Sequence, residues 1–200
     1  MSVQEEIERA TVFGQSLEDI IVKKGSFTLG ELADRERLLL AYWSLATDLD
    51  KSILALMRKK FYGGAFALLR PLVEAQTRAH IVLMGDDDTV TRIKEDKYTL
   101  NFKAVGAETD AAFNLEGFFD TFLNGARGAL HSFTHSGLSQ LSRRFKGNYL
   151  EADYGDEEIV EVIRTSSSAT WMVTNLVVKH FNLKEESKIV EDLFLQHGKR

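Results

Sequence analysis

The chain of 200 residues contains no cysteine and a single proline. The absence of cysteine excludes disulfides and thiolate chemistry, and it leaves histidine and carboxylate side chains as the only common metal ligands. One proline and no low-complexity linker argue against two domains joined by a flexible segment. We therefore expect a single domain over residues 1–200, in a reducing compartment such as the cytoplasm.

Long hydrophobic runs and an excess of positive charge are also missing. Apolar residues make up 44% of the chain, but no run approaches the roughly 20 residues that a membrane helix needs. The polar segment from Met1 to Arg9 lacks the apolar core of a signal peptide. We expect a soluble, cytoplasmic protein with no membrane partner. The net charge of −5 gives no global attraction for nucleic acid, so RNA binding would depend on a local basic patch.

The apolar residues recur at helical spacing along almost the whole chain. Two capping-box patterns, Ser2 with Glu5 and Thr28 with Glu31, mark helix starts, and Gly25 with Ser26 ends the first helix. No stretch alternates at the period of a β-strand for long enough to predict a sheet. We expect an all-α, single-domain bundle of about six to seven helices. The predicted helices cover 3–24, 28 to about 62, 65–84, 89–105, 115–145, 156–181 and 185–196, with links at 106–114 and 147–155.

Some residues do not suit the helices in which they are predicted to lie. Pro71 removes one backbone donor and crowds the carbonyl of Ala67, so we expect a kink there or a helix that restarts. Each of four glycines in the fifth predicted helix lowers helix stability, so their presence needs a compensating reason such as close helix packing. The pattern also allows a break in this helix at residues 136–137. The serines at 166–168 are interpreted as solvent-exposed. The four glycines are Gly117, Gly125, Gly128 and Gly137.

Two otherwise apolar helices carry charged and histidine side chains at i, i+4, i+8 spacing, which places each set on one helix face. Because unpaired charges inside a bundle are costly, we expect the two sets to meet in one polar site. The site allows two interpretations: catalysis with a histidine as general acid or base, or an Arg-Glu-Arg ladder that fixes helix register. The first set is Arg70, Glu74 and Arg78, and the second is Arg127, His131 and His135.

A metal site and a polyanion site are weaker alternatives. The spacing of His131 and His135 is that of zinc-binding helices, but Ser132 stands where the HExxH pattern has glutamate. A third ligand would have to be Glu74, beside arginines that repel a cation, so we expect no metal and no cofactor. The basic residues after the fifth helix would guide a polyanion or simply cap a solvated helix end. They are Arg143, Arg144 and Lys146.

Two segments resemble the signature stretches of uncharacterised bacterial helical proteins. They are Ala67-Leu-Leu-Arg-Pro-Leu-Val-Glu-Ala75 followed by Arg78, and Leu130-His-Ser-Phe-Thr-His-Ser-Gly137. The helical architecture resembles HEPN-type domains, which are usually dimeric and use an Arg and a His separated by four to six residues for metal-independent RNA cleavage in toxins and phage defence. Here three residues separate Arg127 from His131, and seven separate it from His135.

This resemblance implies a role for each of the candidate residues. His131 would act as general base or acid, Arg127 would stabilise the phosphorane, and Glu74 would orient the histidine. RNA or a nucleotide would be the substrate, and the protein would be a homodimer. The catalytic set is Arg127, His131, His135 and Glu74, and the substrate-binding set is Arg70, Arg78, Arg143 and Arg144. The competing class is a non-catalytic helical module that binds a partner protein or a small ligand.

Overall fold

The computed structural model describes residues 2–24, 29–114 and 116–198. In these residues the fold is all-α, as predicted, with nine α-helices rather than six or seven. A short antiparallel hairpin, β1 (Phe145–Lys146) and β2 (Tyr149–Leu150), was not predicted. The helices are α1 (Val3–Lys24), α2 (Asp34–Arg58), α3 (Tyr62–Met84), α4 (Asp87–Lys94), α5 (Phe102–Phe113), α6 (Phe118–Thr134), α7 (Leu138–Leu141), α8 (Asp156–His180) and α9 (Lys184–Gly198).

The first capping box is present. The Glu5 amide lies 3.2 Å from Ser2 Oγ, and the Ser2 amide donates to Glu5 Oε2 at 2.7 Å. The second predicted box includes Thr28, which lies outside the described residues, as do Gly25 and Ser26. Helix α2 begins later than predicted, at Asp34.

The predicted helix over 89–105 and the predicted link over 106–114 are both wrong. Helix α4 ends at Lys94, and Asp96 follows with a left-handed φ of 55°. The chain then restarts a helix after Asn101, whose side chain accepts a hydrogen bond from the Lys103 amide at 3.1 Å. An asparagine in this position satisfies one of the free amides at a helix start, so α5 occupies residues where a link was expected.

The fifth predicted helix is divided into α6, α7 and the hairpin, with a turn at the anticipated point near residues 136–137. Close packing does not explain Gly125 or Gly128, because a Cβ at either position would meet no atom within 4 Å. Gly117 instead has a φ of 81° and precedes α6, a conformation that glycine adopts without strain.

Helix α3 is the centre of the bundle. It packs against α2, against α8, and against α5 and α6, which also pack against each other. Leu72, Val73 and Val82 of α3 are fully buried, as are Ile163 and Val177 of α8. This burial follows from the nearly uncharged sequence of α3, because a helix that is apolar on most sides is stable only when other helices cover those sides. No helix in the described ranges is long and apolar enough to cross a membrane.

Candidate functional site

The two signature segments lie on neighbouring helices, α3 and α6, and contact each other through backbone and side-chain groups. Pro71 lies inside a continuous α3 and has no N–H to donate to the carbonyl of Ala67. The hydroxyl of Thr134 approaches that carbonyl at 3.3 Å, while also lying 3.0 Å from the carbonyl of Leu130. The threonine of one segment thus compensates for the proline of the other.

Ser132 and Gly137 have structural roles at the end of α6. Ser132 Oγ accepts a hydrogen bond from the Ser139 amide at 2.9 Å, and the Ser132 carbonyl accepts one from the Gly137 amide at 2.7 Å. A Cβ at Gly137 would lie 2.6 Å from Ser132 Oγ and 3.1 Å from Ser132 Cα. Only glycine therefore fits the turn that leads from α6 into α7.

Arg70 connects the charged face of α3 to the histidines of α6. Its Nε donates to Glu74 Oε1 at 2.8 Å, and its Nη1 lies 2.9 Å from His131 Nδ1. Because a guanidinium can only donate, Nδ1 of His131 must accept and the ring proton must lie on Nε2. The ring of His135 follows, with its centroid 4.5 Å from that of His131 and a tilt of 47°. Glu74 therefore orients Arg70, and Arg70 orients His131.

These four side chains lie at the surface of the bundle. The side chains of Arg70 and Glu74 are 23% and 33% exposed, and both histidines are exposed. The Arg70 guanidinium also lies over the ring of Phe102, 5.8 Å from its centroid. Exposed ion pairs of this kind contribute about 0–1 kcal/mol to stability. The cluster is thus accessible to ligands, and we expect its ion pair to contribute little to the stability of the fold.

Arg127 lies one turn before His131 on α6 and is exposed; among the described residues, no hydrogen bond or ion pair to it is found. Arg78 does not reach the histidines. Its guanidinium lies 5.9 Å from the ring centroid of Tyr98. Burial raises the pKa of Tyr42, and the nearby Arg78 opposes that rise through its charge and a hydrogen bond. The structure thus brings four of the six predicted residues together, whereas Arg127 is placed only by its position one turn from His131 and Arg78 lies elsewhere.

The two arginines after α7 differ in their surroundings. Arg143 pairs with Glu158 of α8 through two hydrogen bonds, one of them 3.1 Å from Nε to Oε2, and donates to the Ser139 carbonyl at 2.6 Å. These contacts hold the pKa of Glu158 below its usual value. Arg144 is exposed, with a guanidinium nitrogen beside Gly63 of α3, where a Cβ would lie 2.5 Å away from it.

The described residues contain no group of three or more histidine, aspartate or glutamate side chains that could hold a metal ion. Glu74, the third ligand that the sequence would have to supply, instead accepts a hydrogen bond from Arg70.

Sequence reasoning missed the burial of Asp50, whereas it predicted a core or boundary position for His80. Asp50 is 2% exposed and accepts a hydrogen bond from Ser166, and burial raises its pKa to about 6 against the effect of that bond. His80 is 4% exposed, and burial lowers its pKa to about 4. Ser166 and Ser167 were predicted to be solvent-exposed, but both are buried. Each of these polar residues lies on the apolar face of its helix, which was the available signal.

The fold and the surface cluster define a class of all-α protein in which an arginine joins two signature helices beside an exposed histidine pair. Residues 43–193 match the model of a family described as a family of unknown function (DUF6988), and the chain belongs to that family. The match includes both signature segments. No curated protein and no solved structure matches the chain.

Proposed function

We propose that this protein cleaves RNA without a metal ion, at a surface formed by Arg70, Glu74, Arg127, His131 and His135, called here the histidine face. The observation that carries the proposal is a difference within the second signature segment: some of its residues hold the helices together, and others are exposed. Ser132, Thr134 and Gly137 are engaged in holding the helices together. His131 and His135 are exposed and adjacent, and their side chains are not needed for that packing.

The chemistry needs a base, an acid and positive charge. Attack of the RNA 2′-hydroxyl on the adjacent phosphate requires removal of one proton and delivery of another, and histidine is the side chain best suited to both near neutral pH. Arg70 and Arg127 provide charge for the phosphorane. Arg70 Nη1 donates a hydrogen bond to Nδ1 of His131. A phosphate that binds Arg70 would release this nitrogen, which would couple substrate binding to activation of the acid-base pair.

The openness of the histidine face favours a polymer over a small metabolite as substrate. Small-molecule sites are usually concave and enclosed, whereas single-stranded nucleic acids bind along charged surfaces beside aromatic side chains. Phe102 under the Arg70 guanidinium supplies one aromatic ring at this face. Arg70 and Arg127 against the single carboxylate of Glu74 give the histidine face a formal excess of one positive charge, in contrast to the net charge of −5 of the whole chain.

The wider proposal is a HEPN-like cytoplasmic protein of toxin or phage-defence systems that acts as a homodimer. Large apolar side chains concentrated between residues 138 and 150 support self-association, because such a patch is unusual on a monomer. Their exposed fractions are 79% for Leu138, 54% for Leu141, 58% for Phe145, 75% for Tyr149 and 82% for Leu150. Light scattering after size-exclusion chromatography would measure the oligomeric state directly.

The decisive experiment is cleavage of a mixed RNA pool in the presence of a chelator. The purified parent protein is compared with His131→Ala and His135→Ala, and the unfolding temperature of each is recorded. Asn124→Ala is the matched control, because Asn124 is also exposed on α6 and donates a hydrogen bond to Asp120 of the same helix at 2.9 Å. We expect cleavage by the parent and the control, none by the histidine variants, and equal unfolding temperatures. Absence of cleavage by the parent, or equal cleavage by His131→Ala, would contradict the proposal.

A non-catalytic module, in which the same residues lock the helices, is the second candidate. It is favoured by the hydrogen bond between Arg70 and His131, which joins α3 to α6. This candidate predicts no RNA cleavage and a clear loss of stability in His131→Ala. The exposure of the contact predicts instead a stability change within about 1 kcal/mol, so the unfolding measurement separates the two candidates.

A further inference from the structure

A cavity of about 390 Å³ lies between α3, α5 and α8, apart from the histidine face. This volume falls within the range of small-molecule sites. Aromatic and other apolar side chains provide most of its surface, including Phe113 of α5 and Trp171 of α8. Flat aromatic ligands bind well between such walls, because rings gain from stacking and edge contacts beyond the burial of area.

Three basic side chains of the cavity wall lie beside carboxylates: Arg35 beside Asp87, Lys179 beside Glu191 and His180 beside Glu36. The two remaining polar side chains, His80 and Asn175, give the cavity a specific hydrogen-bonding character. His80 Nδ1 lies 2.9 Å from the carbonyl of Gln76, so this nitrogen must donate and Nε2 must be the acceptor. Because burial lowers the pKa of His80 to about 4, the ring is neutral at physiological pH. His80 therefore offers a fixed acceptor, and no donor to Nε2 is found among the described residues.

Asn175 of α8 is the other polar side chain of the wall without a carboxylate partner in the part of the chain that the structure describes. Its Oδ1 is buried and has no hydrogen-bond partner in the part of the chain that the structure describes. A buried acceptor left unpaired costs about 1–3 kcal/mol, and a ligand that donates to Oδ1, once the carboxamide has turned toward the cavity, would recover that loss. The carboxamide can also donate through Nδ2, so a rotation about its terminal bond presents both a donor and an acceptor to the cavity.

We propose that this cavity binds a neutral heteroaromatic ring with an exocyclic amino group next to a ring nitrogen, as in adenine. An asparagine carboxamide pairs with such an edge through two hydrogen bonds, accepting from the amine and donating to the ring nitrogen. His80 Nε2 is the acceptor for the remaining amine hydrogen. Phe113 and Trp171 bound the faces of the ring. This site is separate from the histidine face and does not depend on RNA cleavage.

Calorimetric titration of the full chain with 9-methyladenine tests the proposal. We expect saturable binding, and at least about tenfold weaker binding of 9-methylpurine, because removal of the amine leaves Asn175 and His80 unpaired. We also expect the ¹⁵N chemical shift of His80 Nε2 to change on addition of 9-methyladenine. No saturable binding, or equal affinity for the two purines, would overturn the proposal, and both tests use only the unmodified protein.

Variants locate the bound ring. Asn175→Leu keeps the size of the side chain and removes its hydrogen bonds, so we expect it to weaken 9-methyladenine binding about tenfold or more. Asn124→Leu, the same substitution at an exposed position, and His131→Ala should leave this affinity unchanged. Weakening by His131→Ala, with no effect of Asn175→Leu, would place the ligand at the histidine face and overturn the proposal.

Discussion

Arg70 Nη1 lies 2.9 Å from His131 Nδ1, and the same guanidinium holds Glu74 through Nε at 2.8 Å. Arg70→Lys tests the importance of this geometry, because an ammonium keeps the charge but cannot reproduce the fixed fork of donors. We expect RNA cleavage to fall on the order of 100-fold, as for the loss of one oriented donor to a transition state. Initial cleavage rates of the two proteins at equal concentration provide the measurement.

The stability of Arg70→Lys should change by less than about 1 kcal/mol, because the pair is partly exposed. Urea unfolding of both proteins supplies this control. A large loss of stability together with activity would assign Arg70 to helix locking, and retained cleavage would show that the fork is unnecessary.

Arg143 and Arg144 are adjacent in sequence but should respond differently to substitution by alanine. Arg143 bonds to Glu158 and to the Ser139 carbonyl and lies 5.1 Å from the ring centroid of Phe133. We expect Arg143→Ala to lower the free energy of unfolding by about 1–3 kcal/mol, because it leaves charge-assisted hydrogen bonds unmade. Arg144→Ala should change it by less than about 0.5 kcal/mol. Urea unfolding measures both, and equal effects would refute the structural role of Arg143.

The sequence predicted the histidine face because helical spacing determines which residues share a side of a helix. Arg70 with Glu74, and His131 with His135, were identified in this way. Spacing does not fix which neighbour a long side chain selects, so Arg78 was assigned to the same cluster although it lies beside Tyr98. Nor does spacing distinguish a sealed interface from an open surface. The exposure of this cluster could therefore be determined only from the structure.

The helices that were predicted well are those with one continuous apolar stripe, such as α1 and α8. The error between residues 89 and 114 arose where a short charged helix, α4, meets a second short helix. The amino-acid composition does not change between the two helices, whereas the backbone leaves the helical conformation after Lys94 and resumes it at Phe102. Asn101 was the available signal, since it is a favourable N-cap residue. Its hydrogen bond to the Lys103 amide marks the start of α5.

His80 should make the protein less stable in mild acid. Burial lowers its folded pKa to about 4 from an ordinary value of 6.5, so the unfolded chain binds more protons between these values. Its contribution to stability is complete above about pH 6.5 and is lost as the pH falls toward 4, by roughly 3 kcal/mol in all. Titration followed by ¹⁵N NMR should show His80 neutral at pH values near 5. A protonated His80 at that pH would contradict the prediction.

Asp50 should have the opposite effect, because burial raises its folded pKa to about 6 from 3.8. The native state then binds more protons between these values, so this contribution is complete below about pH 4 and is lost as the pH rises through 6, by roughly 3 kcal/mol. Asp50→Asn retains an oxygen for the Ser166 hydroxyl and removes the charge. We expect it to be more stable than the parent in urea unfolding near pH 7 by about 2–3 kcal/mol, and to lose this advantage near pH 4.

The two buried groups oppose each other in the parent, so Asp50→Asn should also expose the acid sensitivity caused by His80. A variant whose stability follows the parent at every pH would show that Asp50 does not titrate in this range.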